Sequence, residues 1–420
     1  RQAASKLGLP GAMFPWQSGS DGTEETPHWL YNARSGRWVP DHSRMQRHVG
    51  LAVAFNVWEY FEATGDKAWF LRKGAELVVE VARFFAAMAA YVHNDDRFHL
   101  KCVVGPDEYH TLRPGEPDPG LDDNAYTNVL AAWTCERAAE IHGMLKGHEL
   151  ADLTERLCIT ADEVSLWKRV SRRMFVPFHA DGVISQFDGY DALEELDWDK
   201  YRRVYENIER LDLILEAEGD DVNRYKLAKQ ADVLMLPYLL GHEGLREFMG
   251  RLGYAMSSEQ LDRTVEYYLA RTAHGSTLSR VAHASVLASV DPDRAWDSFR
   301  EALDADLDDT QHGTTKAGIH LGAMAGSIDV VQRSFAGLKL GRNGLSFTPC
   351  MPRGLRAVAF HVRYRGHSLK IQLQGGRLRV SSADCEAAPI SLRMEGQSVM
   401  LAPGETRSFR MNPGQGVSRS

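Results

Sequence analysis

A chain of 420 residues, 25% charged and 44% hydrophobic, has the make-up of a globular protein and excludes a disordered or fibrous one. A net charge of −8 argues against broad nucleic-acid binding, which requires a basic face. No apolar run reaches the ~20 residues that span a bilayer, so no membrane partner is expected, and five scattered cysteines without a CxxC pair predict reduced thiols and a cytoplasmic setting.

The first residues, Arg1-Gln2-Ala3-Ala4-Ser5-Lys6, lack the apolar core of a signal peptide, and the missing Met predicts that the chain is the later part of a longer one. Residues 11–25, GAMFPWQSGSDGTEE, form a loop in which Trp16 could stack on a pyranose ring and Gln17 could bind its hydroxyls. A structural loop around a buried Trp is the other reading. Helical periodicity begins near Gly50. Residues 51–63 predict an apolar-rich helix that stops at Thr64-Gly65-Asp66, where Gly65 suits a left-handed helix end and Asp66 the next N-cap. The following helix covers residues 67–91, with apolar positions on more than one face, as suits burial among several neighbours.

In residues 104–110, VGPDEYH, Gly-Pro ends regular structure and presents Asp107 and Glu108 beside Tyr109 and His110. Adjacent residues of an extended loop point opposite ways. One carboxylate can therefore face a pocket while the other holds the loop by accepting backbone N–H groups. Glycosyl transfer needs a protonated carboxyl group within reach of the leaving oxygen; a solvated acidic turn is the alternative. Residues 122–128, DDNAYTN, open a helix over 124–143. Capping explains one of them, while Asn124 and Tyr126 together offer an amide and an aromatic face that suit a sugar.

Helices are predicted at 151–172 and 222–239. The second carries Lys229-Gln230, either on an exposed first turn or as a cation and an amide aimed at sugar hydroxyls. Helices at 257–270, 277–289, 292–304 and 314–334 follow. Two of them begin at small-residue loops, His274-Gly275-Ser276-Thr277 and His312-Gly313-Thr314-Thr315. The exposed N–H groups and positive dipole end of a helix N-terminus suit phosphate; ordinary Ser/Thr capping is the alternative. Walker, GxGxxG and HExxH patterns are absent, so neither a metal nor another cofactor is expected. Helix pairs joined by alternating short turns and long polar loops predict a mainly α architecture, an α/α toroid over residues 1–335 or an irregular bundle. After Gly337, short period-two segments predict a small antiparallel β-sandwich over 336–411, with its junction at 341–344 and 349–354 and a frayed tail at 412–420.

Taken together, GAMFPWQSGSDGTEE, YFEATGD, VVGPDEYH, DDNAYTN, KQADVLML, HGSTLS and GTTKAGIHLGAMAG resemble glycoside hydrolase family 65, the maltose, trehalose, kojibiose and nigerose phosphorylases. The resemblance implies an (α/α)6 barrel followed by a β-sandwich. It implies Glu108 as general acid, Lys229 and Gln230 on the glucosyl unit at the cleaved bond, and Trp16 in the sugar pocket. It also places phosphate on the 274–279 loop and on the turn of Gly313, Thr314 and Thr315. The implied reaction is inverting phosphorolysis of an α-linked glucose disaccharide to β-glucose 1-phosphate and a free sugar, with inorganic phosphate as a substrate. Phosphate is already a nucleophile, so one carboxyl group suffices where an inverting hydrolase uses two about 6.5–9.5 Å apart.

The chain departs from the family in two ways. Lys316-Ala317 stands where many relatives carry a Glu, and in hydrolytic members a carboxylate in this region can serve as base. The chain also begins after the family's N-terminal β-sandwich, helical linker and WDTE-type loop, which predicts impaired activity for this polypeptide alone. A trehalase-like hydrolase and an inactive carbohydrate-binding remnant are the competing functions. The resemblance implies a homodimer, though no stretch reports an interface, and assigns acceptor choice to residues 111–121 together with the missing segments.

Overall fold

The computed structural model describes residues 1–310, 314–342 and 344–411. They form two compact units, one of residues 1–57 and 69–275, the other of residues 58–68 and the described residues from 276 to 411; the tail expected at 412–420 lies outside the described residues.

Near the start of the first unit, Trp29–Asn32 (β1) and Arg37–Pro40 (β2) make an antiparallel hairpin that the sequence did not predict. Three helices of this unit pack on one another: Ala75–Met88, Ala125–Met144 and Ala161–Arg173. Ala75–Met88 buries Val78, Val79, Val81, Phe84 and Phe85, too wide a spread for one face, as expected of a helix with several neighbours. It is entered through a π-turn at Phe70–Gly74 and ends at Met88, short of residue 91, because Ala90–Val92 (β3) pairs with Arg97–His99 (β4). Ala125–Met144 is buried all round at its start, with every residue from Ala125 to Cys135 enclosed.

Two predicted helices differ from the structure. The one over 151–172 is two helices, Gly147–Leu157 and Ala161–Arg173, parted by Cys158 at φ 50° and restarted by the capping box of Thr160 and Glu163. The one over 222–239 survives only as a 3-10 turn, Val222–Arg224, and a short helix, Met235–Leu240. Between them the backbone is bonded to distant segments. The N–H of Lys226 goes to Glu194 O, that of Ala228 to Arg271 O, and that of Lys229 to the Asp107 carboxylate. Tertiary partners satisfy these groups in place of helical ones.

In the second unit, Thr277–Leu287, Pro292–Asp304 and Leu321–Asp329 are helical and pack together. A Cβ added at Gly322 would lie 2.9 Å from Leu278, and one at Gly326 would lie 2.5 Å from Val281. Thr277–Leu287 and Leu321–Asp329 therefore run side by side in one direction, with their N-termini together. Among the described residues eight strands follow: β5 Leu338–Gly341, β6 Gly344–Phe347, β7 Ala357–Tyr364, β8 His367–Gln374, β9 Arg377–Ser382, β10 Ile390–Met394, β11 Gln397–Leu401 and β12 Thr406–Arg410. They form two sheets, ordered β11-β10-β6-β5 and β12-β9-β8-β7. Every pair is antiparallel except β6 with β10. The predicted junction at 341–344 falls where β5 and β6 pair, Gly341 opposite Gly344, with residue 343 outside the described residues. Leu345, Phe347, Leu369, Ile371, Leu373 and Leu392 fill the core of this sandwich, each contributing roughly 1.5–3 kcal/mol by its burial.

Candidate active site

The loop that carries Asp107 and Glu108 is rooted in backbone bridges from Val103 to Leu121 and from Val104 to Gln46. It then passes Gly105, where an added Cβ would lie 2.4 Å from Asp232 Oδ2 and 2.5 Å from Asn124 Nδ2. Only glycine fits so close an approach. Beyond it the two carboxylates take different tasks. Asp107 is buried and organises the surroundings. Its Oδ1 accepts the Lys229 N–H at 2.7 Å, and its Oδ2 accepts Gln186 Nε2 at 3.0 Å and the His110 N–H at 3.2 Å, with His110 Nδ1 at 2.8 Å. Glu108 sits at φ 69°, a left-handed conformation that costs a non-glycine residue about 1–3 kcal/mol and persists only where its neighbours fix it. Its carboxyl accepts Lys229 Nζ at 2.6 Å and Gln230 Nε2 at 3.2 Å, and Gln230 Nε2 also donates to Pro106 O at 2.6 Å.

Glu108 and Lys229 line a cavity of about 290 Å³. Leu30 and Val39, directly paired across the β1–β2 hairpin, form part of its wall. Arg210 lies on another side and donates from Nε and Nη2 to Asp212 at 2.9 and 2.7 Å. Burial opposes the Arg210 charge, but the Asp212 carboxylate outweighs it, and the guanidinium is held above its ordinary value. Behind the acid loop, burial first and nearby Asp107 second push the Asp232 carboxyl well above the usual carboxylate range.

The structure brings Glu108, Lys229 and Gln230 together and sorts the other candidates. The Trp16 ring lies 5.3 Å from that of His48, which meets Tyr126 edge-on at 5.9 Å. Gln17 is exposed at the rim of its loop, its backbone bonded to Thr26 and Glu25. Asn124 corrects an expectation. It is 0% exposed, its Oδ1 accepts from Thr127 N and Oγ1 at 3.0 and 2.7 Å, and its Nδ2 donates to Asp232 and to Gln186 O. An amide so fully engaged caps its helix and supports the loop instead of meeting a sugar. Tyr126 is 3% exposed, and burial above all raises its hydroxyl.

His274, at φ 59°, precedes Gly275, whose N–H donates to Lys229 O at 2.8 Å. A Cβ on Gly275 would lie 2.3 Å from Glu209 O and 2.8 Å from Lys229 Cγ. Ser276 then caps the next helix through Leu278 N, and Thr277 is buried in its first turn. Gly313 lies outside the described residues. Thr314 opens a short 3-10 turn. Thr315 donates its hydroxyl to Asp306 at 3.2 Å and its N–H to Asp309 at 3.3 Å. These two carboxylates occupy its donors and repel anions, so Thr315 does not match the phosphate contact expected of it.

The sequence did not single out His48, Gln186, Arg210, Asp212 or Asp232. Asp232 had a legible signal, a lone carboxyl inside the apolar run of KQADVLML. Arg210 and Asp212 lie in a segment whose composition says nothing of a cavity.

Residues 1–329 match the model of the glycosyl hydrolase family 65 central catalytic domain. The chain belongs to glycosyl hydrolase family 65. Residues 338–401 match the family 65 C-terminal domain. An uncharacterized glycosyl hydrolase of Mycobacterium tuberculosis H37Rv is 49% identical over 97% of this chain and 30% of its own length. Trehalose 6-phosphate phosphorylase of Lactococcus lactis is 35% identical over 96% of this chain and 50% of its own. Kojibiose phosphorylase of Caldanaerobacter subterraneus is 32% identical over 96% and 49%. The chain thus spans half or less of the length of these relatives. A solved structure of a proposed kojibiose phosphorylase from the human microbiome shares the fold, with a TM-score of 0.78 at 20% identity, over 98% of this chain and 55% of that one. The architecture is the mainly α one of family 65, a helical (α/α)6 catalytic domain followed by a β-sandwich. Among the described residues, no helix is long and apolar enough to cross a membrane.

Proposed function

We propose that this chain carries the active site of an inverting phosphorylase that acts on an α-linked glucose disaccharide. The observation that carries the reading is the grip of Lys229 and Gln230 on the Glu108 carboxyl at the wall of the cavity. It marks one carboxyl group at a cavity wall as the candidate proton donor, which takes up its proton once Lys229 and Gln230 turn from it to the hydroxyls of the glucosyl unit. Relatives named as phosphorylases of trehalose 6-phosphate and kojibiose support the reaction class.

In the proposed reaction the Glu108 carboxyl gives its proton to the glycosidic oxygen as the bond from that oxygen to the anomeric carbon breaks. A phosphate oxygen forms a bond to the same carbon from the opposite face. The products are β-glucose 1-phosphate and the free sugar. Phosphate is assigned to the turn of His274, Gly275 and Ser276, where Gly275 is drawn against Lys229. Lys229 therefore connects the sugar and anion sides of the reaction. Trp16, with His48 and Tyr126 behind it, is assigned a face of the glucosyl ring.

The test is to incubate the protein with candidate disaccharides with and without phosphate. Sugar phosphate should form only when phosphate is present, and glucose release that ignores phosphate would point to a hydrolase. Glu108→Gln keeps the hydrogen-bonding shape and removes the transferable proton, so turnover should fall by about 100-fold or more. A fully active Glu108→Gln protein would remove Glu108 from the mechanism.

A further inference from the structure

We infer that the outer face of the sheet β12-β9-β8-β7 is a docking surface for an extended acidic polypeptide segment. The inference stands apart from the catalytic reading, because no residue of this face lines the cavity beside Glu108.

Side chains alternate between the two faces of a strand, and burial follows that alternation in all four strands. Leu369, Ile371, Leu373, Leu378, Val380 and Phe409 turn inward to the sandwich core. The opposite face presents Arg363, Lys370, Arg377, Arg379 and Arg410, all exposed, together with His361. Its other positions are Ala, Ser, Thr or Gln, and none is Asp or Glu. Among the described residues none of the five permanent cations has an ion pair or a side-chain hydrogen bond. This concentration of positive charge runs against a chain whose net charge is −8. The register also sets like charges together. Arg377 stands directly opposite Arg410, and Arg379 lies diagonal to both Arg410 and Lys370. Opposed like charges weaken a sheet. The fold therefore gains nothing from the arrangement, whereas a bound counter-charge would.

The side chains choose among anionic partners. The face carries no Phe, Tyr or Trp on which a nucleic-acid base could stack. It has no large apolar group to enter a bilayer or to form the core of an interface with a folded protein, and a sheet face has no projecting element to enter a duplex groove. Four of the five cations are arginines, whose planar fork grips a carboxylate through paired hydrogen bonds. Same-side residues of a strand, such as Arg377 and Arg379, are about 6.8 Å apart, and an extended acidic segment presents its carboxylates at that same interval. The Gln and Ser side chains between the cations can donate to and accept from its backbone.

The probe is a short fluorescent polyglutamate peptide, titrated with the full chain and read by anisotropy. It should bind at about 0.01 M salt and lose about tenfold or more in affinity at about 1 M, as the screening length falls from roughly 30 to 3 Å. Arg377→Gln together with Arg379→Gln should weaken binding by about tenfold, several-fold for each exposed charge. Arg410→Gln should weaken it several-fold without lowering the melting temperature, because it also removes the like charge opposite Arg377. That second reading separates lost binding from lost folding. No binding at low salt, or binding that these variants leave unchanged, overturns the inference. Tighter binding of duplex DNA or of phosphatidylglycerol vesicles than of the peptide at equal salt overturns it as well, in favour of a phosphate-bearing partner. A chain that self-associates at low salt without peptide, and disperses in the double variant, has a second copy as its occupant and likewise overturns it.

Discussion

His48 shows how one side chain can tie the site to the solvent. It is 7% exposed between Trp16 and Tyr126, and its Nδ1 has no hydrogen-bond partner among the described residues. Burial disfavours its charged form and lowers its pKa to about 4. Above pH 6.5 the ring is neutral folded and unfolded, and stability does not depend on it. As pH falls from 6.5 toward 4, only the unfolded chain takes up the proton, so the folded state loses ground. Integrated over that window the loss is about 3 kcal/mol. His48→Phe keeps an aromatic ring and deletes the titration. Urea midpoints measured from pH 7 to pH 4 should fall less steeply for His48→Phe than for the native chain. Equal slopes would show that the ring is not enclosed as described. The Asp107–Glu108 pair makes the complementary point: the sequence could say that two adjacent carboxylates divide their tasks, but not which partners enforce the division. Of those partners His110 stands in the same loop, while Lys229 and Gln186 come from two distant segments.

The elements differ in how plainly they could be read. Helices with a steady apolar period and clear caps, such as Ser258–Leu269 behind Ser257 and Pro292–Asp304 behind Asp291, stand where the sequence places them. The stretch 225–234 was read as helix from its apolar content, yet its backbone is spent on Glu194, Arg271 and Asp107, which no local pattern discloses. The β1–β2 hairpin was missed for the reverse reason. Its strands are four residues each, expose Trp29, Tyr31 and Trp38, and bury little. What fixes it is a remote carboxylate: Glu216 accepts from Asn32 Nδ2 at 2.5 Å, Ser35 Oγ at 2.5 Å and Arg37 Nε at 2.7 Å. Since Leu30 and Val39 wall the cavity, Glu216→Ala should loosen that wall. The expected result is a KM for the disaccharide raised several-fold, with kcat little changed. The loss of one charge-assisted cluster should also cost about 1–3 kcal/mol in urea unfolding. An unchanged KM would mean that the hairpin does not shape the site.

At the scale of the molecule, the family's two domain models and the compactness of the chain divide it differently. The catalytic and C-terminal domain models cover 1–329 and 338–401, whereas the second compact unit joins the helices from Ser276 onward to the sandwich. The contacts inside that unit explain why. Trp296, Phe299 and Phe335 form one aromatic cluster, with centroids 5.4 to 6.2 Å apart. The Gly354 backbone lies against the Trp296 ring, and Cys350 N–H donates to Phe335 O at 2.9 Å. The ion pair of Arg353 with Asp293 at 2.6 Å adds little, because the arginine is 90% exposed. The segment from Trp58 to Ala68 belongs to the same unit: Glu62 pairs with Arg342, and Arg365 N–H donates to Ala63 O. Ending the chain at residue 335 would strip cover from Phe335 and Trp296 and leave Glu62 without its arginine. Uncovering two large aromatic side chains costs several kcal/mol, and each kcal/mol lowers the melting temperature by roughly 2–4 °C in units of this size. A chain of residues 1–335 should therefore melt about 10 °C or more below one of residues 1–411, or fail to stay in solution. Matching melting curves would show that the helices after Ser276 stand without the sandwich and that the family boundary, not the compact unit, is the folding boundary.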